Sequence, residues 1–285
     1  MTPAVVATHV ILTLVAALVL EFFGIATARA QGKLDARYTA TLAGIPIGKG
    51  ALAIDIGDKQ YTAAASGMTT GLVRLFASGQ GSSASRGHVR KGKIVPSTYA
   101  SNLSSGNKAE DLRIALQNGA VKEVSIDPTP APQPDRIPVP ATHRRGVVDP
   151  MSAALMHVDG DGETISPAAC DRTIAIFDGR MRFDLHLSFK HMTTVQSARG
   201  YQGPVAVCLV RFVPKSGYVP NRAAITYLQN QREIEIWLAP VAGTRMIAPY
   251  KVLLRTPFGL GVLEATQFVS APSRARATPA SVHAQ

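Results

Sequence analysis

The residue types that could do chemistry are sparse in this sequence, and the two cysteines come first. Cys170 and Cys208 stand 38 residues apart, which excludes a Cys-x-x-Cys redox pair. In an oxidising compartment an even count reads as one structural disulfide, with free buried thiols or a reactive cysteine as the alternatives. An acidic group, Asp149, Asp159, Asp161 and Glu163, surrounds Gly160 and Gly162. A calcium loop beginning at Asp159 would need its closing Glu where Cys170 stands, so a turn is preferred over a weak cation site. His88, His143, His157, His186, His191 and His283 form no His-x-x-x-His pair, and no zinc site is expected. There is no Gly-x-Ser-x-Gly elbow. Gly79-Gln80-Gly81-Ser82 lacks the Lys-Ser/Thr of a phosphate loop and reads as a flexible turn. No catalytic residue, metal or cofactor is assigned.

The densest polar run is Asp178-Gly179-Arg180-Met181-Arg182-Phe183-Asp184. Asp-Gly suits a tight hairpin turn. Period-two geometry then puts Arg180, Arg182 and Asp184 on one face, opposite Met181 and Phe183. That face is either a solvated surface with cross-strand ion pairs or a ligand-facing strip of Asp178, Arg180, Arg182 and Asp184. In the second case arginine would supply planar recognition of anions.

These residues must be positioned by short strands. Leu34–Leu42, Gly50–Gly57, Gln60–Ser66, Gly87–Arg90, Lys93–Tyr99, Asp111–Gln117 and Val121–Ile126 carry apolar residues at a spacing of two, against a helical reading. Ala43–Pro46, Asp58-Lys59, Lys91-Gly92 and Asn118-Gly119 supply the turns; Asn-Gly is the strongest hairpin signal, since both residues tolerate positive φ. Six prolines between Pro128 and Pro140 make that interval a loop. Asp149-Pro150 starts a helix with Met151, Leu155 and Val158 on one face, ended by Asp159-Gly160-Asp161-Gly162. Met68–Phe76 suggests a second short helix. Further strands are expected at Asp171–Phe177, Met181–Ser188, Thr194–Tyr201, Val205–Val213, Arg222–Leu228, Ile234–Ala239, Met246–Arg255 and Leu260–Val269. The expected fold is all-β: a large curved antiparallel sheet rolled into a barrel-like or spiral architecture, with one or two short helices. Rolling would hide the sheet edges. A two-layer sandwich is the nearest competitor.

Residues 1–30 read as a signal peptide. Ala4–Leu20 is almost wholly apolar, and Ala28 and Ala30 place cleavage before Gln31. An uncleaved anchor is the alternative, and no Cys lies near the cut for lipoprotein processing. Residues 31–271 are expected to form one β-rich domain and 272–285 a flexible tail. The net charge of +11 favours anionic lipid, envelope polysaccharide or nucleic acid, and export argues against nucleic acid, leaving envelope lipid, polysaccharide or protein as the expected partner.

Several short runs together carry a resemblance. They are Gly44-Ile45-Pro46-Ile47-Gly48, the Gly87–Pro96 segment, Asp149-Pro150, Phe177-Asp178-Gly179-Arg180, Tyr201-Gln202-Gly203 leading into Cys208, and Phe258-Gly259-Leu260-Gly261. In this order the chain resembles the proteobacterial envelope family catalogued as domain of unknown function 3108. The resemblance implies an exported β-rich protein with no assigned activity. More distantly, the chain is similar in architecture and compartment to alphaproteobacterial periplasmic envelope-integrity proteins that form a disulfide-containing β-spiral. Neither resemblance carries a catalytic residue onto this chain. The leading expectation is a monomeric, non-enzymatic periplasmic binding or scaffolding protein supporting envelope integrity, touching the membrane transiently during export. The alternatives are a hydrolase acting on envelope polymers, marked by two close carboxylates, and a lipid or lipoprotein carrier, marked by a long apolar groove.

Overall fold

The computed structural model describes residues 31–71 and 78–273. The signal segment and cleavage point therefore lie outside the described residues, as do 274–285 of the expected tail and residues 72–76 of the second expected helix, whose first residues Met68 and Thr69 are strand instead. Seven strands come first: β1 (Gly32–Leu42), β2 (Ile45–Ile56), β3 (Gln60–Thr69), β4 (Gly79–Arg90), β5 (Lys93–Ser105), β6 (Lys108–Gln117) and β7 (Ala120–Asp127). A connection with a 3-10 turn at Ala141–Arg144 leads to helix α1 (Pro150–Ala153), β8 (Met156–His157) and a second 3-10 turn, Pro167–Ala169. Then follow β9 (Arg172–Phe177), β10 (Arg182–Gln196), β11 (Arg199–Gly200), β12 (Gln202–Ser216), α2 (Ala223–Asn230), β13 (Ile234–Pro240), β14 (Met246–Thr256) and β15 (Gly259–Pro272).

The meander from β1 to β7 follows from alternation and turn chemistry. In β1, Leu34, Ala36 and Tyr38 are buried while Lys33, Asp35 and Arg37 are exposed, so one face is committed to the core. Three turns place two successive residues at positive φ: Ala43-Gly44, Lys91-Gly92 and Asn118-Gly119. Such turns match the twist of the flanking strands. Gly87 is required by close approach, because a Cβ there would lie 2.2 Å from the Val95 carbonyl and 2.8 Å from the Tyr61 ring.

All the strands join one sheet, ordered β7-β6-β5-β4-β3-β2-β1-β15-β14-β13-β12-β10-β9, with β8 added to β14 and β11 lying parallel to β15. The fold is all-β with two short α-helices, but the sheet is not rolled into a barrel or spiral as expected. Its end strands, β7 and β9, share no ladder. One extended segment instead touches both end strands. Arg145 bridges to Ala120 of β7, and Val148 bridges in parallel to Ile176 of β9. The Val147 amide donates to Gly119, and the Phe177 amide to Val148. A segment bridged to both end strands does not require the register that closure demands, and strand count alone does not distinguish the two solutions.

Two apolar clusters hold the sheet. The larger joins Leu34, Tyr38, Leu52, Tyr61, Tyr99 and Leu112 to Phe177, Tyr250 and Phe268, with Met151 and Leu155 packed against them. The smaller places Met156, Val158, Ile165 and Ala169 over Leu187, Ala206, Val210, Leu238 and Ile247. Residues 205–208 of β12 are buried without a break, Val205 in the larger cluster and Ala206 and Cys208 in the smaller. The Cys170–Cys208 disulfide lies inside the smaller cluster with both residues fully buried, Cα atoms 5.4 Å apart. It ties residues 156–170, which pack on the smaller cluster, to β12.

Local readings are corrected as well. The expected strand Thr194–Tyr201 is broken, 194–196 ending β10 and 199–200 forming β11. The helix at Asp149-Pro150 ends at Ala153, because Met156 and His157 pair with β14; Leu155 and Val158 then enter different clusters. The expected strand Arg222–Leu228 is instead the N-cap and first six residues of α2, which buries no residue.

Candidate functional site

The sequence-predicted polar strip is dispersed by the fold. Asp178 turns onto its own hairpin, accepting hydrogen bonds from the Arg180 and Met181 amides at 2.8 and 2.7 Å. Arg180 reaches across to pair with Glu110 of β6. Arg182 and Asp184 do share a face, paired at 2.6 Å, with Lys215 3.3 Å from the other carboxylate oxygen. Burial alone would raise the Asp184 carboxyl, but Arg182 and Lys215 outweigh it and hold it below its ordinary value. The acidic group around Gly160 also separates. Asp149 is fully buried, whereas Asp159 is exposed beside Lys93 and His157. Among the described residues, no three His, Cys, Asp or Glu side chains converge as a metal site requires.

Asp149 anchors a polar network that the sequence showed only as a helix cap. One oxygen accepts from the Met151 and Ser152 amides at 3.0 and 2.9 Å. The other accepts from the Ser85 hydroxyl at 3.0 Å and the Ser152 hydroxyl at 2.5 Å. The Tyr61 hydroxyl closes the group, 2.6 Å from Ser152 and 3.1 Å from Ser85. Burial raises Asp149 despite these four donors, and burial pushes Tyr61 up to about 12. With no histidine partner and all four side chains buried, this is a clasp between α1, β3 and β4, not an exposed nucleophile.

The open site lies beyond the clasp, on the same sheet face. Toward the far ends of β3, β4 and β5 the core-facing positions become Ala65, Gly67, Gly81, Ser83 and Ser101, paired across the ladders as Ala65–Ser83, Gly67–Gly81 and Ser83–Ser101. Tyr99 and Leu112 fill the face nearer the clasp, but these small side chains leave it empty. The result is a cavity of about 1100 Å³, above the ~300–1,000 Å³ range of ordinary ligand sites. A second cavity of about 380 Å³ lies beneath Tyr38, Met151 and Pro249. Both are lined by Ala65, Ser66, Gly67 and Met68, so they adjoin along β3. Leu103 leans over Gly81 at the mouth: a Cβ on Gly81 would come within 2.5 Å of its methyl group. Glu110 is the one carboxylate lining the larger cavity, and it is held by Arg180.

Sequence reasoning missed this trough because β4 was read as a turn at Gly79–Ser82. The signal was nonetheless present: Gly79, Gly81, Ser83, Ser85 and Gly87 recur at a spacing of two. As a strand, that segment presents one face of small residues.

Residues 37–266 match the family model described as "Protein of unknown function (DUF3108)". The chain belongs to this family. The match spans β1 to β15, including every strand that floors the trough. No curated protein matches the chain. Among solved structures, the DUF3108 chain is similar to a beta-barrel-like protein of domain of unknown function DUF1849 from Brucella abortus, at 8% identity and a TM-score of 0.47. That alignment covers 86% of this chain and 98% of the other, and at such values it carries no argument about activity.

Proposed function

We propose that the protein is a non-enzymatic, periplasmic binding protein that holds the apolar chain of an envelope lipid in the trough over β3, β4 and β5. The observation that carries this reading is an unfilled face of small side chains toward the ends of β3, β4 and β5. Glycine and alanine in strand interiors forgo packing, and a bound hydrocarbon would restore it. The adjoining cavity beneath Met151 and Pro249 would extend the contact along an alkyl chain rather than around a compact solute. A hydrolase is disfavoured by the lining, where Glu110 has no second carboxylate to share general acid–base work. Export, read from residues 1–30, sets the compartment, and the wider role in envelope integrity belongs to the same proposal.

The test is binding of a pyrene-labelled fatty acid to the purified protein, alongside mass spectrometry of lipid extracted from it. Ala65→Phe places a ring where the two cavities adjoin and should weaken probe binding at least about tenfold, since it displaces several buried methylenes worth ~0.8 kcal/mol each. Equal probe binding by the folded variant, with no lipid in the extract, refutes the reading.

A further inference from the structure

The larger cavity is polar at one end and apolar at the other. Side chains alternate between the faces of each strand, so the ladders sort the lining into rows. In β6, Leu112 is buried in the core, and Glu110 and Lys108 follow on the same face toward the β5–β6 turn. Their partners on β5 are Ser101, Leu103 and Ser105, all of which line the cavity. The last row, Gly79, Ser105 and Lys108, makes the polar end, with Asn107 in the turn beside it. At its other end the cavity adjoins the smaller one, walled by Leu52, Met151, Val252 and Leu263.

Charge on these walls reduces to one cation. Among the described residues, Lys108 and Glu110 are the only charged groups lining the larger cavity, and Arg180 neutralises Glu110. Lys108 is exposed and makes no ion pair among the described residues. The exposed acids of the neighbouring strands do not compete for it. Asp111 and Asp127 stand opposite each other on the other face of the sheet, where Asn102 donates to Asp111 at 2.8 Å. Asp178 accepts from the amides of its own hairpin. In the smaller cavity Lys251 pairs with Glu264, and Lys49, between the inward-facing Gly48 and Gly50, belongs to the opposite face.

We propose that the occupant is a single-chain amphiphile with an anionic head, seated with its head beside Lys108 and its tail toward the cavity beneath Met151 and Pro249. The ammonium complements one negative charge, and Ser105 and Asn107 supply uncharged donors next to it. A charge at a cavity mouth keeps much of its hydration, so Lys108 selects among heads while the apolar walls supply most of the affinity. The head assignment rests on the proposed binding of an apolar chain in the same cavity.

The experiment is calorimetric titration of the purified protein with three dodecyl amphiphiles that differ only in the head: dodecanoate, dodecanol and dodecylammonium. Lys108→Gln should weaken dodecanoate several-fold, leave dodecanol unchanged and reduce the salt dependence of dodecanoate binding. Lys108→Glu should weaken dodecanoate further and tighten dodecylammonium. Lys59→Gln removes the same charge from the β2–β3 turn, at the opposite end of β3, and should alter none of the three. Both lysines are exposed at or beside turns, so circular dichroism should show unchanged folding. Ala65→Phe should weaken all three alike, because it blocks the path of the tail and spares the head. Dodecanoate binding that Lys108→Gln leaves intact, or that Lys59→Gln weakens equally, overturns the head assignment while the cavity reading stands. If the wild type binds none of the three, the cavity reading fails and takes the head assignment with it.

Discussion

Removing the Asp149 carboxylate should be the most damaging single change to the polar clasp. Asp149 is fully buried and serves four donors, two amides of α1 and the hydroxyls of Ser85 and Ser152. In Asp149→Ala the lost helix cap costs about 1 kcal/mol. Two buried hydroxyls lose their acceptor as well, at roughly 1–3 kcal/mol each where they find no other. Tyr61 remains within reach of both hydroxyls and recovers part of that loss. The expected net destabilisation is about 3–4 kcal/mol in urea unfolding. Asp149→Asn keeps one acceptor for the amides, and its NH₂ can donate to hydroxyl oxygens that rotate to receive it, so it should cost about 1 kcal/mol or less.

The pair also makes a signed pH prediction. Burial raises the Asp149 carboxyl above its ordinary value, so the folded state takes up its proton more readily than the unfolded chain does. Its ionisation therefore opposes folding at neutral pH, and that penalty is relieved as pH falls through the raised folded value. Wild type should gain stability relative to Asp149→Asn between neutral pH and about pH 4. An Ala variant that loses less than about 1 kcal/mol, or an Asn variant as damaged as Ala, would refute the clasp. A wild-type-minus-Asn difference that shrinks on acidification would refute the raised carboxyl.

Replacing both Cys170 and Cys208 by Ala should cost about 4 kcal/mol for the 38-residue separation on the chain-entropy account. Amide exchange should accelerate first in residues 156–170, the segment that the bridge ties to β12; exchange rising evenly across the sheet would contradict that placement. His157 is held below its ordinary value, mainly because burial disfavours its charged form, against the opposing pull of Asp159. An NMR titration should place it under about 6.5. Because the unfolded chain then binds the proton more readily, this residue's contribution to stability is present above that value and lost as pH falls through it, and His157→Gln should remove that pH dependence.

What the sequence revealed divides along a physical line. Local rules were legible where a single residue pair decides the backbone. Asn118-Gly119 turns where both residues sit at positive φ, and Asp149-Pro150 caps and starts a helix. Cys170 and Cys208 had no other partner to find. Long-range choices were less legible. Leu155 and Val158 look like one helical face, yet the pairing of Met156 and His157 with β14 sends them into separate clusters. The Arg222–Leu228 segment contains β-branched and aromatic residues that favour a strand, but 223–230 becomes α2, which buries none of them.

The trough was hidden for a related reason. Sequence reading finds strands by their apolar side chains, and β4 has almost none before Val89. Gly79–Ser85 is extended because β3 and β5 supply ladders on both sides, not because its own residues favour a strand. A segment held in place by its neighbours does not have to pack its own side chains. That freedom lets small residues accumulate on one face, and their accumulation makes the cavity. The failure of local propensity and the candidate site thus have one cause: between Gly79 and Ser85 the sheet keeps its backbone pairing while withholding the side chains that would otherwise close the core.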